Sequence, residues 1–361
     1  MKIFNKSVAV VALFSLSSIF SGCKDEEIII NTIKPSAGNT LTLSGISSTE
    51  AGLNAKNSVF VDMSKDLQTS VLRSGWDLGF YCGSDFKVIL NHSTGATAIQ
   101  VNKTDLNDVT MADVTALPGG SASFDFGTAG IGTVDPVTGS FTNYIAGTVW
   151  KDVAVSDNDN KIFILNRGIS GDIKASELKK VKVTRSGSGY VVTYDDITST
   201  AIVPRTATIV KDASYNFKFL SFEGASTLSI EPAKKLWDIE YTISTYKDAA
   251  GLPATEPDFV LINFANGVTA AEIVFGTDQT KNYASFTSAN LSGVIFSGDR
   301  DVIGVKWRTL TGSTSTSLNI NNDRFYLVKD PDGNIYKLKF NGGLRGKPEI
   351  QYELVPPVPL T

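Results

Sequence analysis

"WDLGFYCG" (Trp76–Gly83) and "WDIEYTIS" (Trp237–Ser244) occur in one chain of 361 residues. Each writes Trp-Asp-aliphatic at the mouth of a strand-like run, and the two tryptophans lie 161 residues apart. Working outward, further echoes fall in the same order. "FKVILN" (Phe86–Asn91) is echoed by "FVLINF" (Phe259–Phe264), the second preceded by a Pro-containing insertion, "KDAAGLPATEP" (Lys247–Pro257). Trp150 in "GTVWKDV" is echoed by Trp307 in "GVKWRTL", and "NKIFILNRG" (Asn160–Gly168) by "DRFYLVKDPDG" (Asp323–Gly333). "KKVKVT" (Lys179–Thr184) and "YVVTYDD" (Tyr190–Asp196) find their counterparts in "YKLKFN" (Tyr336–Asn341) and "EIQYELV" (Glu349–Val355). Collinear matches at one offset are the signature of an internal repeat. Two copies of one β-domain are therefore expected, residues 39–202 and 203–361, divided within "TSTAIVPRT" (Thr198–Thr206).

The repeated pieces read as strands. They are short, rich in β-branched and aromatic residues, and bounded by Gly, Asn, Asp and Ser clusters, and no long run has a 3.6-residue period. "KDPDGN" (Lys329–Asn334) is a tight-turn sequence between two such runs and predicts a hairpin. In "YKLKF", Tyr336, Leu338 and Phe340 alternate with two lysines, which predicts one buried face and one wet face. The fold class is all-β, two tandem antiparallel β-domains. An indole at a strand entrance fills a core, so Trp76 and Trp237 are expected inside, with the adjacent carboxylates pointing outward or capping a turn.

Composition bounds the function. Hydrophobic residues make up 42% and charged residues 19%, enough apolar material for real cores. A formal net charge of −4 argues against a nucleic-acid partner, which calls for a basic face. One histidine and three methionines confine acid–base and metal chemistry to very few positions.

The N-terminus reads as a processing signal. Lys2 and Lys6 precede the apolar "VAVVALFSLSSIF" (Val8–Phe20), which is too short to span a bilayer, and Ser21-Gly22 lead into Cys23. Residues 1–22 are expected to be a lipoprotein signal peptide, Cys23 the lipidated residue, and 23–38 a tether, so the only membrane attachment is acyl-chain burial. Cys82 is then the one remaining thiol. No intrachain disulfide can form, and its place in an apolar strand predicts an inert side chain.

These repeated elements resemble the HmuY family. The likeness rests on the Trp-Asp-aliphatic strands, on "KTDLNDVT" (Lys103–Thr110), and on the terminal hairpin "FYLVKDPDGNIYKLKF" leading to "IQYELV". It covers nearly the whole mature chain as two tandem copies. The resemblance implies an all-β, surface-facing outer-membrane lipoprotein, with "KDEE" (Lys24–Glu27) similar to an acidic export signal. It further implies haem as ligand, taken from a haemoprotein and passed to a TonB-dependent outer-membrane receptor.

The chain departs from the family at the iron. Known members hold it between two histidines or use methionine, and here His92 is the only histidine, with Met63 and Met111 left in the mature chain. The second copy has neither residue. By elimination His92 and Met111 are the candidate axial ligands, with a tyrosinate as the remaining route and Cys82 a disfavoured one, set against a reading of His92 as a polar strand-end residue and of Met63 as packing.

Other chemistry is sparse. The chain has no phosphate loop, zinc spacing or nucleophile elbow, and "SDNDNK" (Ser156–Lys161) lacks the later ligands of a calcium loop and reads as a turn. The Gly-rich stretch Pro118–Phe141 is either a binding loop or a plain connection. The leading expectation is a non-enzymatic binding lipoprotein. Its rivals are a same-fold lipoprotein without haem that acts in adhesion or in carbohydrate or protein binding, and a carboxylate-dependent hydrolase.

Overall fold

The computed structural model describes residues 34–46, 55–125, 133–139, 152–168, 173–200, 203–224, 226–309 and 317–356. The signal peptide, Cys23, Trp150 and much of the Gly-rich stretch lie outside the described residues.

Three strands precede Trp76: β1 (Gly38–Thr42), β2 (Asn57–Asp62) and β3 (Leu67–Leu72). Six follow it: β4 (Leu78–Tyr81), β5 (Val88–Leu90), β6 (Thr97–Val101), β7 (Ile162–Asn166), β8 (Lys179–Ser186) and β9 (Gly189–Asp196). A short helix α1 (Met111–Thr115) lies between β6 and β7. Three more strands precede Trp237: β10 (Arg205–Ile209), β11 (Phe217–Ser221) and β12 (Ser226–Leu228). Beyond it come β13 (Ile239–Lys247), β14 (Pro253–Ile262), β15 (Thr269–Val274), the two-residue β16 (Arg308–Thr309) and β17 (Asn319–Ile320), and then β18 (Arg324–Lys329), β19 (Ile335–Leu344) and β20 (Lys347–Leu354). Every pairing between these strands is antiparallel, as the all-β expectation requires.

The pairings join the two halves of the sequence. The five-stranded sheets run β1-β20-β19-β18-β15 and β10-β9-β8-β7-β6, and the four-stranded sheets run β3-β2-β13-β14 and β12-β11-β4-β5. Strands before Trp76 therefore pair with strands after Trp237, and strands before Trp237 pair with strands after Trp76. Replacing β1, β2 and β3 by β10, β11 and β12, and each later strand by its counterpart, converts one pair of sheets into the other. Residues 39–202 and 203–361 thus share sheets, and Pro35–Thr361 forms one compact unit.

Side-chain alternation stacks the sheets. One core lies between the sheet of β4, β5 and β11 and the sheet of β6–β10, where Phe80, Leu90, Leu165, Val183, Tyr190 and Leu220 meet. Its counterpart brings Val61, Tyr241, Val260, Tyr326, Leu338 and Ile350 together. The two four-stranded sheets face each other across a third core of Trp76, Ile89, Phe217, Phe219, Phe259 and Leu261. The five-stranded sheets are covered on their outer faces as well. Ile162 and Ile164 pack under Leu106, Val114 and Phe124, and Phe325 and Leu327 pack under Tyr283 and Phe286. Strands buried on both faces carry unbroken apolar runs, which explains "KIFILN" and "FYLVK".

That covering changes one expectation. Tyr336, Leu338 and Phe340 do face inward, and "KDPDGN" does close the β18–β19 hairpin, with Gly333 at φ +91°. The other face is not uniformly wet. Lys337 is buried there, its Nζ donating to the Tyr283 carbonyl at 2.9 Å and pairing with Glu353 at 2.8 Å.

Candidate functional site

The Trp-Asp pairs hold the halves together. Both indoles are buried, Trp76 against Phe219 and Trp237 edge-on to Phe60. The carboxylates were expected to face outward or cap turns, but both are buried and accept the N–H of the residue just past a strand of the other half. Asp77 Oδ2 accepts from Phe222 N at 2.7 Å, and Asp238 Oδ2 accepts from Met63 N at 2.8 Å. Asn91 and Asn263, which end the echoed strands, close the arrangement by donating to the Trp76 and Trp237 carbonyls at 2.7 and 2.9 Å. A buried N–H left unbonded costs about 1–3 kcal/mol, so these four side chains satisfy strand entrances that would otherwise oppose folding. Asp77 also receives Arg167 at 2.5 Å; Asp238 lacks an arginine partner among the described residues, and burial pushes it up to about 7.

His92, the residue after Asn91, lies in the layer between the four-stranded sheets. Its Nδ1 is 2.9 Å from Ser244 Oγ and its Nε2 is 3.1 Å from Arg300 Nη2. A guanidinium can only donate, so Nε2 accepts and Nδ1 carries the proton. Burial, reinforced by the Arg300 charge, holds this imidazole well below its usual range. Arg300 also lies 5.3 Å from the ring of Phe264, the residue that follows Asn263. Two carboxyls complete the layer. Burial pushes Glu231 up to about 8, although its Oε1 accepts from Phe217 N at 2.7 Å, and Glu240 is raised by burial too. The cavity these groups enclose measures only about 30 Å³, room for about one water.

Met111 is placed elsewhere. It opens α1 and packs, half-buried, on the cluster outside the β6–β10 sheet, where Thr110 and Asp113 form a capping box. The structure therefore does not bring His92 and Met111 together. Met63 is fully buried in the core beneath β2, and Cys82 is half-buried with its thiol raised by burial. "SDNDNK" closes as a turn, with Asn160 Oδ1 accepting from Ala154 N at 2.7 Å. No group of three or more His, Cys, Asp or Glu is arranged to hold a metal among the described residues.

A larger opening went unnoticed in the sequence. A groove of about 540 Å³ is bordered by the segment after β15, the start of β18 and the middle of β19. Its lining includes the half-buried Phe275 and parts of the buried Tyr283, Trp307, Tyr326 and Phe340, with Trp307 stacked on Phe340 at 4.0 Å. Amides line it as well, Gln279, Asn282, Asn321 and Asn322. Two cations stand on its lining. Arg324 is committed to Asp323 and Glu272, while Lys339 forms no ion pair among the described residues and lies 4.8 Å from the Tyr283 ring centroid. The Tyr283 hydroxyl is buried without a hydrogen-bond partner among the described residues, an arrangement that costs free energy unless something completes it. Its size and the Lys339 ammonium suit a small molecule with an acidic group. The sequence did carry a signal, an aromatic-and-amide-rich stretch in "FGTDQTKNYASF" (Phe275–Phe286), but its meaning depends on which strands it meets.

Haem iron needs a donor with a free lone pair facing an opening. Both His92 nitrogens are spent and its cavity is too small for a macrocycle, and the groove is lined by phenols rather than by His, Met or Cys. Neither place therefore offers a donor set that fits axial ligation of iron. Comparison with known proteins found no match among curated proteins and none among solved structures. One family model, described as HmuY protein, matches residues 54–352, and the chain belongs to the HmuY family.

Proposed function

We propose that this chain is a non-enzymatic binding lipoprotein of the outer membrane whose ligand is haem or a related porphyrin, held in the groove between β15, β18 and β19. Membership of a haem-binding family over residues 54–352 carries the reading. The groove supports it with its volume, with the half-buried Phe275 ring for a macrocycle and with Lys339 for a propionate. Two copies of one β-domain, 39–202 and 203–361, that have exchanged their first three strands would account for the matching sheet orders. Cys23 is the lipidation site of this reading, and no helix among the described residues is long and apolar enough to cross a membrane. The partners are a haemoprotein that gives up the ligand and a TonB-dependent receptor that takes it.

A second reading rests on the four amides. Side-chain amides that both donate and accept suit sugar hydroxyls, so a carbohydrate-binding protein of the same fold is the alternative. Titrating haemin into the purified protein separates the two. A saturable Soret shift at one equivalent supports the porphyrin, and no shift at micromolar haemin, with retention on immobilised glycan, supports the sugar.

A further inference from the structure

The structure reaches beyond this reading, and rests on it, at the question of what in the ligand is recognised. The soft donors of the mature chain are few enough to follow one by one: Cys23, Met63, Cys82, His92 and Met111. Cys23 is consumed by lipidation in the proposed protein. Met63 is fully buried in the core beneath β2. The Cys82 thiol, 3.7 Å from the Phe80 carbonyl, belongs to the end of β4. His92 uses one ring nitrogen on Ser244 and the other on Arg300, and Met111 sits on α1 against the outer face of the β6–β10 sheet.

None of these lines the groove, so phenols are the remaining candidates for iron there. Tyr283 and Tyr326 are both buried, and burial raises both hydroxyls above the ordinary phenol range. A tyrosine binds iron as its anion, and an environment that opposes the anion opposes the bond. What the groove does offer is indifferent to a central metal. The half-buried Phe275 ring borders the opening for a macrocycle, and the Lys339 ammonium meets a carboxylate at its edge.

We infer that this protein recognises the porphyrin macrocycle and its carboxylates rather than the iron, so that iron-free porphyrin is as good a ligand as haemin. The chemical class is a planar tetrapyrrole bearing acidic side chains, with or without a metal.

The test uses the full-length protein in detergent, titrated separately with haemin and with metal-free protoporphyrin IX and followed by quenching of its tryptophan fluorescence. Dissociation constants within about threefold of each other are expected, with free base displacing bound haemin competitively. Haemin binding at least about tenfold tighter than free base, or a bound haemin spectrum of the six-coordinate low-spin type, would overturn the inference while leaving the porphyrin reading standing. Binding of neither compound removes the porphyrin reading itself, and this inference with it.

Discussion

The carboxylate of Asp238 accepts the backbone N–H of Met63, 175 residues earlier in the chain, at 2.8 Å. Asp77 does the same for Phe222, 145 residues later. The reciprocal pair explains why Trp-Asp is written twice. The indole fills the core and the carboxylate fastens a strand that the other half supplies. Replacing Asp238 by Ala leaves the Met63 N–H buried and unbonded, and a loss of about 1–3 kcal/mol is expected in urea unfolding. Asn in its place keeps an acceptor and should recover most of that loss. Equal losses for Ala and Asn would mean that the carboxylate is not acting as the acceptor.

The sharing of sheets between the two halves makes a prediction about fragments. Residues 74–232 contain all of β4–β12, hence two complete sheets and the core between them. That fragment is expected to melt cooperatively. Residues 203–361 lack β1–β3, and with them the edge of one five-stranded sheet and half of a four-stranded sheet. Broad, non-cooperative melting is expected there. A sharp transition for 203–361 alone would show that a copy can take back its own first three strands.

Buried carboxyls give the stability a definite slope with pH. Glu231 titrates near 8 and Asp238 near 7 in the folded chain, whereas both ionise near 4 when unfolded. The folded state therefore holds protons that the unfolded state has released, and stability falls as pH rises through 7 and 8. His92, neutral when folded, acts only below about 6.5, where the unfolded imidazole gains a proton. Between pH 6.5 and 8.5 the loss should be on the order of 2–3 kcal/mol. Glu231→Gln should flatten most of that slope in thermal melts, and an unchanged slope would remove Glu231 as its source.

The lipid anchor has its own test. Cys23→Ala is expected to shift the protein from the membrane pellet to the soluble fraction, because acyl-chain burial is the only attachment in the proposed protein. A variant that stays in the pellet after a high-salt wash would contradict the lipoprotein reading.

Much of the fold could be read from the sequence because alternation and turn chemistry are local. The hairpin at Lys329–Asn334 and the inward set Tyr336, Leu338 and Phe340 emerged as expected. The pairing of strands across the two halves did not. β2 and β11 occupy equivalent places, beside β13 and β4, so nothing in either stretch says which sheet it will join. Asn91 and Asn263 were visible as polar ends of echoed apolar runs, but their carbonyl partners were not. His92 was prominent only because it is the sole histidine. What settles its chemistry is Arg300, 208 residues away. The groove was hidden for a related reason, since Tyr283, Trp307 and Lys339 converge only once β15, β18 and β19 are in place.

The most direct test of porphyrin binding in the groove is a single obstructing substitution. Ala284 is exposed on the groove lining, so Ala284→Trp fills the opening without disturbing a core. Haemin affinity, read from the Soret band, should fall at least about tenfold while the melting temperature stays within about 2 °C of the unmodified protein. Undiminished haemin binding by a normally folded Ala284→Trp protein would contradict the placement of the ligand in this groove.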